Sequence, residues 1–411
     1  MKKAFAVLGF AFLLSVSTYA VQTSQKVIKD PAEYNAYITA LNAQDAEAKA
    51  AAMEAFVSRY PASVVKMDAL EQAMAAYQQA SNTNKVGQTA ERILQIDPVN
   101  LRALAVATFT KRATATTNND AKMAQDVGDL AERGLAALPD WPKPEGLTDA
   151  DFQKLRDQMA AIFHGAAGFA ALQAKNLDVA RDSYLKSLQI DPANMQDVYQ
   201  LSIADLQMTP LDPVGFWYAA KAVTLAQMQK NPTAANSIAA FGKAMYHRYH
   251  GDVEGWDKLV ASTAGQTEPP ANFAVSIKKA PTPGDIACQA VAENDPNTFS
   301  FSDWEFVLAM RDSAPCNKEA AEKVWAAIWN KEKQGAAKLR ITVKVISASE
   351  KNIEAAISDE NQTANKADLK VAMEEPLHNP PEPGAMIDII GVITDYKLDP
   401  FMFLMEQGEL P

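Results

Sequence analysis

The stretch that most constrains this chain is Ala161 to Asn194, AIFHGAAGFAALQAKNLDVARDSYLKSLQIDPAN, which reads as one complete helix-turn-helix unit. Ala167 and Gly168 are small where two helices must approach closely. Lys175-Asn176 makes the turn, and Ala180, Tyr184, Ser187 and Leu188 follow at helical spacing up to a stop at Asp191-Pro192. A single unit of this size cannot bury its own apolar face, so neighbours must stack on both sides of it.

Further units are present upstream. Asp30 to Ser63 carries Tyr34, Tyr37 and Leu41 on a first helix, then Ala51, Met53, Phe56 and Val57 leading to Tyr60-Pro61. A second runs from Val64 through Leu70, Ala73, Tyr77, Ala90, Ile93 and Leu94 to Asp97-Pro98-Val99-Asn100, nearly duplicating the Asp191-Pro192-Ala193-Asn194 ending. The interval from Pro61 to Pro98 is close to a period of about 34 residues. With these residues in view, the pattern resembles the tetratricopeptide repeat. The ending AFVSRYPAS is similar to the variant found in periplasmic cell-envelope repeat proteins, including the TolA-associated coordinator and the lipoprotein of the outer-membrane barrel-assembly machine.

The resemblance implies an α-solenoid whose first helices line a groove that binds an extended peptide or a partner helix. In the best unit it implies Ile162, Gly165, Phe169, Leu172 and Gln173 as groove residues, with Phe169 equally able to serve the core. Between the units, LRALAVATFTKRA and MAQDVGDLAERGLAAL are helical by period, and Thr114 to Asp120 is expected to form an enlarged polar turn. Thr148 with Asp151 is expected to cap a long helix. Helices at 195–208, 215–228, 233–250 and 253–262 complete the stack.

Beyond it, Glu268 to Pro283 is proline-rich and reads as a linker, followed by short helices through Ala292, from Ser302 and over EAAEKVWAAIW. The period then changes. LRITVKVIS, KNIEAAIS, ADLKVAM, MIDIIGVITDY and FMFLMEQ are short and largely alternating, which predicts five strands. Their number and the spacing from Gly384 to Ile393 resemble a small barrel of the oligonucleotide/oligosaccharide-binding (OB) type. The expected class is therefore mainly α, a TPR-like α-solenoid followed by a small all-β, five-stranded, OB-like C-terminal domain. The boundaries are 1–20 signal peptide, 21–265 helical repeats, 266–284 linker, 285–337 short helices and 338–411 β domain.

Lys2-Lys3, the apolar run Ala4 to Val16 and the ending Thr18-Tyr19-Ala20 have the layout of a secretory signal peptide, with cleavage after Ala20. The run is shorter than the roughly 20 residues a membrane-spanning helix needs. The two cysteines, Cys288 and Cys316, are far from that point, so no lipid anchor is expected and the mature chain is expected to be periplasmic or secreted. In an oxidising compartment the two either form a disulfide or remain small buried thiols, and spacing alone leaves both open. The net charge of -11 argues against nucleic acid and anionic membrane surfaces as partners.

Neither a GxSxG turn nor a glycine-rich phosphate loop is present, which leaves an enzyme reading without a residue to carry it. The four histidines are His164, His247, His250 and His378. His247 and His250 share a helix face but have Arg248 between them and no acidic or cysteine partner at ligand spacing, so no metal and no cofactor is expected. Trp325 and Trp329 are spaced to pack a helix face on the barrel. The expected function is an exported, non-enzymatic adaptor that binds a protein or peptide of the cell envelope. The alternative is an envelope glycan-binding protein that uses its β domain.

Overall fold

The computed structural model describes residues 27–144, 146–333 and 338–411; the first twenty residues, expected to be a signal peptide, lie outside them. The chain divides into two compact units, one ending at Lys279 and the other beginning at Ala280. Among the described residues the first contains helices and no strand, and the second joins helices to a closed β-barrel, as the change of sequence period requires. Among the described residues no helix is long and apolar enough to cross a membrane.

The first unit contains α1 (Pro31–Leu41), α2 (Ala46–Arg59), α3 (Lys66–Gln79), α4 (Thr83–Ile96), α5 (Leu101–Asn118) and α6 (Ala121–Ala137). It continues with α7 (Asp149–Gln173), α8 (Leu177–Ile190), α9 (Met195–Gln207), α10 (Val214–Met228) and α11 (Pro232–His250), and closes with α12 (Trp256–Ser262) and α13 (Phe273–Ser276). Packing runs chiefly between helices adjacent in sequence, with α5 on α7 and α7 on α9 in addition. Such local packing is what a row of paired helices produces.

Two small structural devices recur. At the turns after α3, α5, α7 and α10, one residue takes the left-handed conformation: Ser81, Asn119, Lys175 and Lys230. The next N–H, from Asn82, Asp120, Asn176 or Asn231, reaches back to the carbonyl of Tyr77, Ala115, Ala171 or Ala226, satisfying an orphan acceptor at the helix end. The second device is the joint Asp-Pro-x-Asn. Asp97 Oδ1 accepts from the Val99 N–H and Asp191 Oδ1 from the Ala193 N–H, each at 3.2 Å. Asn100 and Asn194 then cap α5 and α9 by accepting the N–H of Ala103 and Asp197. The duplicated ending seen in the sequence is thus the connector from one helix pair to the next.

Close approach is as the small residues demand. A Cβ at position 168 would lie 2.9 Å from the Tyr184 ring, and Ala180, Tyr184 and Ser187 are fully buried. The expected enlarged turn at Thr114 to Asp120 is not there. α5 runs on to Asn118, with Thr110, Thr114, Thr116 and Thr117 turning their hydroxyls back onto carbonyls four residues earlier at 2.8–3.0 Å, where they do not compete with the helix for backbone N–H groups. Thr148 caps α7 as expected, accepting the Asp151 N–H at 3.1 Å. Within the proline-rich stretch, Phe273 is buried in the core that also holds Trp217 and Trp256.

The second unit opens with α14 (Pro283–Glu293) and α15 (Phe301–Ala309), each started by a capping box, Thr282 with Asp285 and Ser300 with Asp303. α16 (Pro315–Lys333) follows, then β1 (Leu339–Ala348), β2 (Asn352–Ala356), α17 (Asp359–Ala364), β3 (Leu369–Met373), β4 (Met386–Leu398) and β5 (Phe401–Glu409). The strands close in the order β1-β2-β3-β5-β4, all antiparallel except β3 with β5. Alternate residues point inward, among them Ile341, Val343 and Val345 of β1 and Phe401, Phe403 and Met405 of β5. Gly391 is required where it stands, since a Cβ there would meet Met405 at 2.8 Å. The helices share this core through Ala287, Trp304, Val324 and Ile328. Cys288 on α14 and Cys316 on α16 form a disulfide with Cα atoms 6.0 Å apart, and Asn317 Nδ2 donates to the Gly284 carbonyl beside it.

Two expected outcomes follow from the repeat register. Ala180→Glu places an unpaired charge in a closed helix–helix contact and costs roughly 3 kcal/mol or more; an unchanged melting temperature would contradict the packing of α8 on α7. Lys175→Gly removes a left-handed penalty of about 1–2 kcal/mol, partly offset by the freedom glycine gains in the unfolded chain. Chemical denaturation therefore shows a small gain in stability.

Candidate functional site

The sequence-derived residues of α7 do not form one exposed patch. Phe169 and Leu172 are core side chains, 2% and 4% exposed, and Gly165 is buried. Ile162 is half-buried against the core and Gln173 is exposed, so a partner meets only part of Ile162 together with Gln173.

Gly165 is small because a buried ion pair passes over it. Arg112 of α5 donates from Nη2 to Asp197 Oδ1 of α9 at 2.6 Å, across the intervening α7, and a Cβ at 165 would collide with the Asp197 carboxylate. The other oxygen of Asp197 accepts from Ser187 Oγ at 2.7 Å and Asn194 Nδ2 at 3.2 Å. The Ser187 hydroxyl also lies 3.1 Å from the Ala161 carbonyl oxygen. The Arg112 guanidinium sits 5.6 Å from the centre of the Phe169 ring. Burial opposes the charge on Arg112, but the adjacent Asp197 carboxylate more than offsets this and leaves its pKa above the ordinary value. Tyr184 beside it is held protonated chiefly by burial.

A second buried carboxylate, Asp205 of α9, has neither oxygen hydrogen-bonded. Arg181 of α8 brings Nε to 3.3 Å from Asp205 Oδ1 and Nη2 to 3.0 Å from Asp212 Oδ2. Removal from water pushes Asp205 up to about 7, against the pull of Arg181 and with a further push from Asp212.

An open feature of this unit lies elsewhere, in a groove of about 530 Å³ lined largely by polar residues between α4 and α5 that reaches Met123 of α6. Its α4 wall presents Asn84, Gln88 and Glu91, and its α5 wall Thr110, Lys111 and Thr114. Gly87 keeps the floor low, since a Cβ there would approach Thr110 Oγ1 to 3.2 Å. A single ion pair, Lys111 to Glu91 at 2.8 Å, crosses it. Side-chain amides and hydroxyls of this kind suit hydrogen bonding to a peptide main chain. None of the α7 candidates lines this groove.

The histidines do not converge. His164 is half-buried, its pKa lowered by burial and then by the charge of Lys186, and His250 Nδ1 contacts the Lys278 carbonyl at 2.7 Å. His247 and His378 are exposed, and among the described residues no group of three or more His, Cys, Asp or Glu could hold a metal ion. Asp359, Glu360 and Glu375 are exposed, and Glu374 pairs with Lys338 at 2.6 Å. Trp325 packs on Tyr396 of β4, whereas the side chain of Trp329 lies outside the described residues.

Sequence reasoning missed Arg112, Asp197, Asp205 and Arg181. The available signal was positional, since Asp197 and Asp205 fall on the same stripe of α9 as Val198, Leu201 and Ala204. Compared with known proteins, the chain matches no family model and no curated protein. What the fold defines is a class, a row of paired helices followed by a small closed barrel.

Asp205 gives the helical unit a signed pH response. Its folded value, about 7, lies above the ordinary 3.8, so the native state holds the proton more tightly across that window. The contribution is fully present below about pH 4, is lost as pH rises to about 7, and is flat above. Asp205→Asn is expected to flatten that part of the profile, read from urea midpoints at about pH 4.5, 6 and 8. An equally steep fall in the variant would contradict the assignment.

Proposed function

We propose that this chain is an exported, non-enzymatic adaptor of the tetratricopeptide-repeat kind, holding an extended segment of a cell-envelope protein in the groove between α4 and α5. The observation that carries the reading is the recurrence of one left-handed turn at Ser81, Asn119, Lys175 and Lys230 together with the repeated Asp-Pro-x-Asn joint. A chain built from such modules grows sideways and leaves inter-helix grooves open to solvent. In this groove Asn84 and Gln88 offer both donors and acceptors to a main chain, and the single crossing ion pair adds little net charge.

Export is supported by the signal-like first twenty residues and by the disulfide, a bond that persists in oxidising compartments. The glycan alternative has less support from the β2–β3 face of the barrel. The outward residues of β2 and β3 include Asn352, Glu354, Lys370 and Ala372, with no ring for a sugar to stack on. Glu354 and Lys370 lie opposite each other and pair at 3.7 Å.

A photo-crosslinking residue at Gln88, compared in the native envelope with one at the exposed Glu132 on α6, tests the proposal. The expected result is one discrete adduct from Gln88 and none from Glu132, lost when Asn84→Ala is added. Equal labelling at both positions, or none at Gln88, would remove the groove from consideration.

A further inference from the structure

The second unit carries a cleft that the adaptor reading does not use. It has a volume of about 430 Å³ and lies where α16 passes over β4, lined by Glu322, Trp325, Ala326, Thr394 and Asp395. Its strand wall is made by an irregularity. β4 pairs Ile393 with Met405 and then Asp395 with Leu404, so Thr394 is an extra residue, and a bulge of this type re-aims the side chains beside it. Ala326, one residue on from Trp325, keeps the helix wall low.

Charge and aromatic character coincide here. Trp325 packs against Tyr396 with ring centres 5.2 Å apart, and Tyr396 in turn carries the guanidinium of Arg311 at 5.9 Å from its centre. The chain therefore already seats one cation on Tyr396, the neighbour of Trp325. Arg311 is matched by Asp312, which accepts two hydrogen bonds at 3.1 and 3.2 Å, and Lys323 is matched by Glu319. Glu322 and Asp395, the two exposed carboxylates of the cleft, have no ion-pair partner among the described residues, and Asp395 Oδ1 accepts the Tyr396 N–H at 2.8 Å. An aromatic ring in one cleft with two carboxylates that lack an ion-pair partner favours positive charge.

We propose that this cleft seats a lysine or arginine side chain from a basic segment of a partner protein, with Trp325 against its charged head and Glu322 and Asp395 as its counter-charges. A neutral sugar ring could use the indole but would leave both negative charges unmatched. The inference goes beyond the groove of the helical unit and stands independently of it, since the residues belong to the other unit.

The test uses the whole mature chain and a fluorescein-labelled arginine-rich nonapeptide, read by polarisation at about 50 mM and 300 mM salt. Glu322→Gln with Asp395→Asn is expected to weaken binding about tenfold or more at low salt and to flatten the salt dependence. The control, Asp129→Asn with Glu132→Gln on α6, removes the same charge from an exposed helix face and is expected to change affinity less than about twofold. Trp325→Ala is expected to weaken binding similarly, with its melting temperature recorded; the carboxylate pair keeps the ring and covers the case in which that variant unfolds. An equal loss in the control, no binding by the parent chain, or displacement of the peptide by a neutral gluco-oligosaccharide would each overturn the proposal.

Discussion

The helical unit is organised around a negative charge taken out of water. Asp197 is fully buried, and its carboxylate is met by groups from α5, α8 and the α8–α9 joint. Leaving such a charge without its partner typically costs about 3–5 kcal/mol, whereas exchanging the whole pair for apolar groups can be neutral. The value of the arrangement therefore lies in specificity. Only one register of α5, α7 and α9 brings Arg112, Gly165 and Asp197 together, and a slip of one helical turn would strand an ion in the core. Phe169 belongs to the same device, its ring lying beneath the Arg112 guanidinium.

The two recurring turns solve a different problem. Each helix end leaves carbonyls and N–H groups without intrahelical partners, and a stack of short helices has many such ends. A left-handed residue followed by Asn or Asp closes one end and opens the next helix within two residues. The tight connection keeps successive helices antiparallel and in contact, so the apolar face of each is covered by its neighbour. The cores reflect this, one extending to Phe169 and the next beginning at Leu172, so that α7 serves both.

Much of this was legible in the sequence, and the reasons are physical. Asp-Pro-x-Asn is readable because proline cannot continue a helix and asparagine is a strong first cap, and the strands are readable because alternation survives only where one face is buried. The threonine-rich end of α5 was misread because hydroxyls that favour turns can also bond back along a helix, and propensity does not separate these cases. Arg112 with Asp197, and Arg181 with Asp205, were invisible for a stronger reason. Their partners lie 85 and 24 residues away, and a charged side chain on an apolar stripe looks like an imperfection until its counter-charge is located in space. The α4–α5 groove is composed of ordinary polar residues whose significance comes only from two helices lying side by side.

The placement of β5 has a consequence for how the barrel can be built. The strand lies in the wall between β3 and β4 and makes the only parallel seam among the described strands, so the last strand of the chain is enclosed on both sides. Seated there, Phe401 to Glu409 gives the backbone edges of both neighbours a partner and brings the aromatic pair Phe401 and Phe403 into the interior. The barrel thus has a keystone, the one strand that joins a parallel seam on one side to an antiparallel seam on the other.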